Sequence, residues 1–117
     1  MFRGFFPILA TSDPERLGAF YCESFDFGET YRFPADGVAD FVVVTLGETA
    51  LAFTREGPGA RPLELCIETD DVDAALARVD GGVLSPPAVQ EWGDRTAWIA
   101  DPDGNVVQLF QSQPRQT

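Results

Sequence analysis

One pattern of apolar and turn-forming residues occurs twice along the chain, and this internal repeat limits the fold more than any other feature. The first pass opens with the apolar stretch Phe5 to Thr11, then places Leu17, Phe20, Tyr21 and Ser24 at helical spacing. Ser12 or Asp13 caps that helix, Pro14 suits its first turn, and Glu15 lies beside the positive end of the helix dipole. Asp26 to Phe33 reads as a strand with Tyr31 and Phe33 on one face, and Pro34 to Gly37 as a loop. Phe41 to Thr45 and Thr49 to Thr54 follow as two strands joined at Leu46-Gly47-Glu48, so the order is β-α-β-β-β.

Glu56 to Pro62, with Gly57, Pro58, Gly59 and Pro62, reads as a linker, because neither a helix nor a central strand persists through such a run. The pattern then restarts. Leu63 to Thr69 is a strand, Asp70 or Asp71 a cap, and Val72 to Val79 a short helix ending near Gly81-Gly82. Val83 to Glu91 is extended around Pro86 and Pro87, Arg95 to Ala100 is a strand, Asp101 to Asn105 a turn, and Val106 to Gln111 the last strand. Positions agree between the passes: Phe6 stands seven residues before Asp13 as Glu64 does before Asp71, and Gly47 four before Leu51 as Gly104 does before Gln108. Each module buries one sheet face under its helix and leaves the other free. The expectation is an α+β chain of tandem βαβββ modules, about 4–55 and about 62–112, whose curled mixed sheets surround a cup. With 117 residues, 44% of them hydrophobic, the chain suits one domain spanning 1–117.

The absence of histidine is the sharpest chemical restriction. It removes Ser-His and Cys-His catalytic pairs and the commonest transition-metal ligand. Cys22 and Cys66 fall in different modules, on a helix and a strand, so both are expected as buried free thiols rather than a disulfide or a zinc site. Nineteen acidic residues against eight basic ones, all arginine, give a net charge of −11. Such a field opposes nucleic acid and favours cationic ligands over phosphorylated ones. No leader or membrane-length apolar run is read, and a cytoplasmic location is expected.

The ordered set Ser12-Asp13, Phe20-Tyr21, Phe25-Asp26-Phe27-Gly28, Asp70-Asp71-Val72-Asp73-Ala74-Ala75, Trp92-Gly93-Asp94-Arg95 and Asp101-Pro102-Asp103-Gly104-Asn105 resembles the vicinal-oxygen-chelate superfamily. That superfamily includes glyoxalase I, extradiol dioxygenases, fosfomycin-resistance enzymes and bleomycin-resistance proteins. The resemblance covers nearly the whole chain. It implies that metal-bearing members place His or Glu ligands on the first, fourth, fifth and eighth strands, facing the cup. By the repeat those places are Phe6, Leu51, Glu64 and Gln108. Only Glu64 is an ordinary metal ligand, so no metal and no cofactor are expected, and metal-dependent catalysis is disfavoured.

Alternation along the strands gives each of these positions its neighbours: Ile8 beside Phe6, Phe53 beside Leu51, Cys66 beside Glu64, and Phe110 beside Gln108. Tyr31, Phe33, Phe41, Trp92 and Trp98 are expected at the rim. The result is an aromatic and aliphatic ligand-binding surface with few polar points. Glu64 should contact Arg95 or Gln108, carry a proton, or await a cation. The resemblance to metal-free bleomycin-resistance proteins implies a homodimeric, non-enzymatic binder that sequesters a cationic or aromatic drug-like ligand. Two alternatives stand beside it: a metal-independent isomerase or lyase with Glu64 as general base, and a scaffold whose cup is filled.

Overall fold

The computed structural model describes residues 1, 3–55 and 63–112. The chain divides into two compact units, Met1–Arg61 and Pro62–Thr117. The expected linker, Glu56 to Pro62, lies outside the described residues.

In the first unit β1 (Ile8–Thr11) leads to α1 (Pro14–Phe25), then β2 (Gly28–Phe33), β3 (Phe41–Leu46) and β4 (Thr49–Arg55). The four strands form one sheet in the order β1-β4-β3-β2, with β1 parallel to β4 and the other pairs antiparallel. Asp13 is the cap: its carboxylate accepts from Arg16 N at 3.1 Å, and Pro14 occupies the first turn, where its missing N–H costs nothing. The helix ends at Asp26 in the left-handed conformation, φ 63°, which is why β2 begins at Gly28 rather than at Asp26. The first strand is also shorter than expected. Pro7 has no N–H to give the ladder, its carbonyl accepts from Ala52 N at 3.0 Å, and regular pairing starts only at Ile8.

Helix α1 covers Leu9, Val42, Val44, Leu51 and Phe53. A Cβ on Gly18 would lie 3.1 Å from a Val42 methyl, so glycine allows the helix to approach the sheet this closely. Tyr21 stacks on Phe53 at 5.5 Å and meets Phe25 and Phe27 near 6 Å, forming an aromatic core beneath the helix. Each fully buried large side chain contributes roughly 1.5–3 kcal/mol, so this face anchors the unit.

The second unit repeats the plan with β5 (Glu64–Glu68), α2 (Val72–Ala77), β6 (Val83–Val89), β7 (Arg95–Ala100) and β8 (Val106–Gln111), in the sheet order β5-β8-β7-β6. Asp71 caps α2 by accepting from Ala74 N at 3.1 Å. The helix stops at Ala77, before the expected Val79, because Arg78 and Val79 close tighter bonds to the carbonyls of Ala75 and Leu76. Arg95 grips Asp73 of α2 with two nitrogens at 2.8 and 2.9 Å, which holds the Asp73 carboxyl below its ordinary pKa and raises that of the guanidinium. Gln111 accepts from Val72 N at 3.0 Å, tying the last strand to the helix start. Val72 and the buried Ala97, Ile99, Val107 and Leu109 form the core of this unit.

The Asp101–Asn105 loop is held by its own side chains. Asp101 accepts from the backbone of Asp103 and Asn105, both at 2.9 Å, and from the Asn105 amide at 2.7 Å. The Asn105 side-chain oxygen accepts from Leu63 N at 2.8 Å, so the hairpin also fixes the start of β5. Among the described residues, no helix is long and apolar enough to cross a membrane.

Candidate functional site

With α2 over one face of the second sheet, alternation puts Glu64, Cys66 and Glu68 of β5, Thr96 and Trp98 of β7, and Val106, Gln108 and Phe110 of β8 on the other. Cys66, Gln108 and Trp98 lie in register across three adjacent strands, with Glu64 one pleat away. The Trp98 indole N–H and the Gln108 amide both donate to Oε1 of Glu64, each at 3.3 Å. Among the described residues, no hydrogen bond is made to its second oxygen. The expectation of a Gln108 contact is met and a Trp98 contact joins it. Arg95 is not the partner: it lies on the helix face, engaged with Asp73.

Glu68, four residues along β5, is a second carboxylate of this face, and the rest is apolar or weakly polar. Both thiols are free as expected, but Cys66 is exposed rather than buried, because β5 turns it to the face that α2 does not cover, and Cys22, on α1, is half-buried. Burial beside Glu29 and Glu23 pushes the Cys22 thiol above its ordinary pKa, which makes it less reactive. Thr96 is fully buried, and among the described residues its hydroxyl has no hydrogen-bond partner. The sequence reading missed Thr96, although it stands two residues before Trp98 and strand alternation would have found it. A cleft of about 580 Å³ opens at the far end of β5 and β8, lined by Glu68, Thr69, Asp70, Gln111 and Ser112, away from the Glu64 cluster.

In the first unit the helix-free face carries Ile8, Tyr31, Phe33, Phe41 and Val43 around the small Ala52. Tyr31 and Phe41 meet edge-to-face at 6.1 Å. Ile8, Tyr31 and Phe33 are more than half exposed, an apolar surface that α1 does not cover. Phe6 precedes β1 and is exposed. Trp92 sits in the Gln90–Gly93 turn joining β6 to β7, on neither sheet face, and is exposed.

Leu51 and Phe53 correct the sequence reading. Both face α1: Leu51 pairs with Val44 and Phe53 with Val42, and Phe53 stacks on Tyr21. The error came from treating Gly47 and Gly104 as equivalent markers. The first hairpin has a two-residue loop, with Leu46 opposite Thr49, whereas the second has five residues between the paired Ala100 and Val106. The returning strands therefore start in opposite phase, and an error of one residue moves every side chain to the other face. The partner of Ile8 is Ala52, as that of Cys66 is Gln108.

This correction bears on metals. The strand positions that carry ligands in metal-bearing relatives correspond to Phe6 and Ala52 in the first unit, and in the second to Glu64 and a Gln108 whose amide nitrogen is turned toward Glu64. Among the described residues, no group of three or more His, Cys, Asp or Glu is placed to hold a metal ion. One carboxylate and one amide do not make a site for a divalent transition metal, so the donor set does not fit the metal that related enzymes use.

Paired β-α-β-β-β modules of this topology define the glyoxalase-type fold class. The chain belongs to the Glyoxalase/Bleomycin resistance protein/Dioxygenase superfamily, whose family model matches residues 6–109. It is similar to a bleomycin resistance protein from Klebsiella pneumoniae, 28% identical over 121 residues, covering 92% of this chain and 90% of that one. Among solved structures it is similar to TnmS3, an antibiotic binding protein from Streptomyces sp. CB03234, at 31% identity and TM-score 0.77, covering 97% and 98% of the two chains. TioX from Micromonospora sp. ML1 matches with TM-score 0.84 at 20% identity, covering 95% of this chain and 99% of that one, a likeness of fold.

Proposed function

We propose that the protein is a metal-free, non-enzymatic binder that sequesters a cationic, aromatic, drug-like small molecule. The observation that carries this reading is the Glu64 carboxylate, fixed by Trp98 and Gln108 on a helix-free sheet face beside Cys66, Val106 and Phe110. Glu64 provides a charged point beside apolar side chains, with Glu68 further along the same strand, and the aromatic side chains provide area and cation–π attraction. The relatives support the same reading, since one is a bleomycin resistance protein and another an antibiotic binding protein. The net charge of −11 favours a cationic ligand from a distance. An isomerase or lyase with Glu64 as base needs a second proton-transfer group within reach; Gln108 and Trp98 do not transfer protons in the working pH range, and Glu68 stands four residues along β5, roughly 13 Å away at strand rise.

The test is a thermal-shift panel of bleomycin-type glycopeptides, other cationic aromatics and neutral aromatics, with divalent metals in separate wells. A ligand of the folded state at a hundredfold excess over its dissociation constant adds about 2.7 kcal/mol of stability. The expected outcome is selective stabilisation by cationic aromatics, weakened in Glu64→Gln and indifferent to metals. Stabilisation by a metal alone, or silence across the panel, overturns the reading; silence favours a scaffold role. A cytoplasmic homodimer is part of the same proposal, and light scattering should give twice the chain mass of 12.8 kDa.

A further inference from the structure

The bonds that hold Glu64 are asymmetric. Both donors converge on Oε1, one from the neighbouring strand β8 and one from β7, a strand further away. Strands in a sheet are about 4.8 Å apart, so the Trp98 side chain spans β8 to reach the carboxylate. A glutamate that would otherwise sample several rotamers is thereby held, with Oε2 left as its acceptor.

We infer that Trp98 and Gln108 are specificity-determining residues, which present Oε2 of Glu64 as a directed acceptor and so select cations that carry N–H, primary or secondary ammonium and guanidinium, over permanently alkylated ones. This inference rests on the proposed binding of a cationic aromatic ligand at this face. A quaternary ammonium retains Coulomb attraction to the carboxylate and cation–π attraction to the rings. It cannot donate a hydrogen bond, and the charge-assisted bond to a pre-positioned acceptor is the component it forfeits. Released from its two donors, Glu64 keeps its charge but loses its fixed direction, so attraction to any cation persists while discrimination between the two kinds falls.

The experiment titrates the full chain with protonated naphthylethylamine and with its N-trimethyl quaternary analogue, following amide and indole N–H resonances by NMR. Wild type should bind the protonated amine about tenfold more tightly, the worth of one charge-assisted hydrogen bond, and the Trp98 indole resonance should move. Gln108→Met and Trp98→Phe each remove one donor while keeping bulk, and each should bring the ratio of the two dissociation constants toward one. A merely structural role would weaken both probes equally and leave the ratio unchanged; that result in any folded variant overturns the inference. Equal affinity in wild type also overturns it but leaves the binding reading standing. Failure of wild type to bind either probe removes that reading, and the inference with it. A well-dispersed amide spectrum establishes that each variant is folded, and either variant alone suffices to read the ratio.

Discussion

Thr96 is the residue whose structure and sequence disagree most. A threonine within a strand is unremarkable by propensity. This one is fully buried, and its hydroxyl has no partner among the described residues. A buried, unpaired hydroxyl costs about 1–3 kcal/mol, and valine keeps the branched shape without the polar atom. Thr96→Val should therefore stabilise the protein by roughly 1 kcal/mol, raising Tm by about 4 °C in a thermal melt. A fall in Tm of similar size would show that the hydroxyl is satisfied in solution. Glu64, at the other end of the same sheet face, is the opposite case, a polar group whose two donors come from other strands. Reading the sequence offered Gln108, beside Arg95, as a partner because the resemblance puts Glu64 and Gln108 on one face, where a carboxylate among apolar side chains needs a donor. It did not predict the Trp98 contact, which depends on how far a side chain leans across a strand.

At the scale of elements, loops decide the accuracy of the sequence reading. The strand and helix order follows from alternation, caps and turn residues, and both aspartate caps act through the side-chain bonds their positions suggest. What failed was phase. Two hairpins of unlike loop length carry a glycine at the same distance before the strand, and the face of Leu51 and Phe53 followed the pairing rather than the glycine. Strand pairing is a long-range property, and local spacing does not encode it. The Asp101–Asn105 loop shows how far a local motif can reach. Its turn chemistry was legible, but the bond from Leu63 N to Asn105, 42 residues apart in the chain, was not. Asn105→Ala deletes that bond and the amide contact to Asp101, leaving Leu63 N and a buried carboxylate oxygen without those partners. The expected cost is about 2–4 kcal/mol, read as a lower denaturation midpoint with an unchanged m-value. A loss below half a kcal/mol would mean that water replaces both bonds.

For the whole molecule, the charge balance separates two sources of cation preference. Eight basic and nineteen acidic residues create a long-range negative field, whereas the Glu64 cluster acts at contact distance. Salt distinguishes them, since the Debye length falls to about 10 Å at 0.1 M and about 3 Å at 1 M. If the field contributes, affinity for protonated naphthylethylamine should drop roughly three- to tenfold between 0.02 M and 0.5 M salt, with a neutral aromatic of the same size unchanged. Glu64→Gln removes one charge of the net −11, so it should leave most of the salt dependence in place while lowering affinity at every salt concentration. The two effects are then separable in one titration series: the slope against salt belongs to the molecule and the offset to the residue. A Glu64→Gln variant without salt dependence would assign the whole preference to the local carboxylate, and the acidity of the rest of the chain would then serve solubility alone.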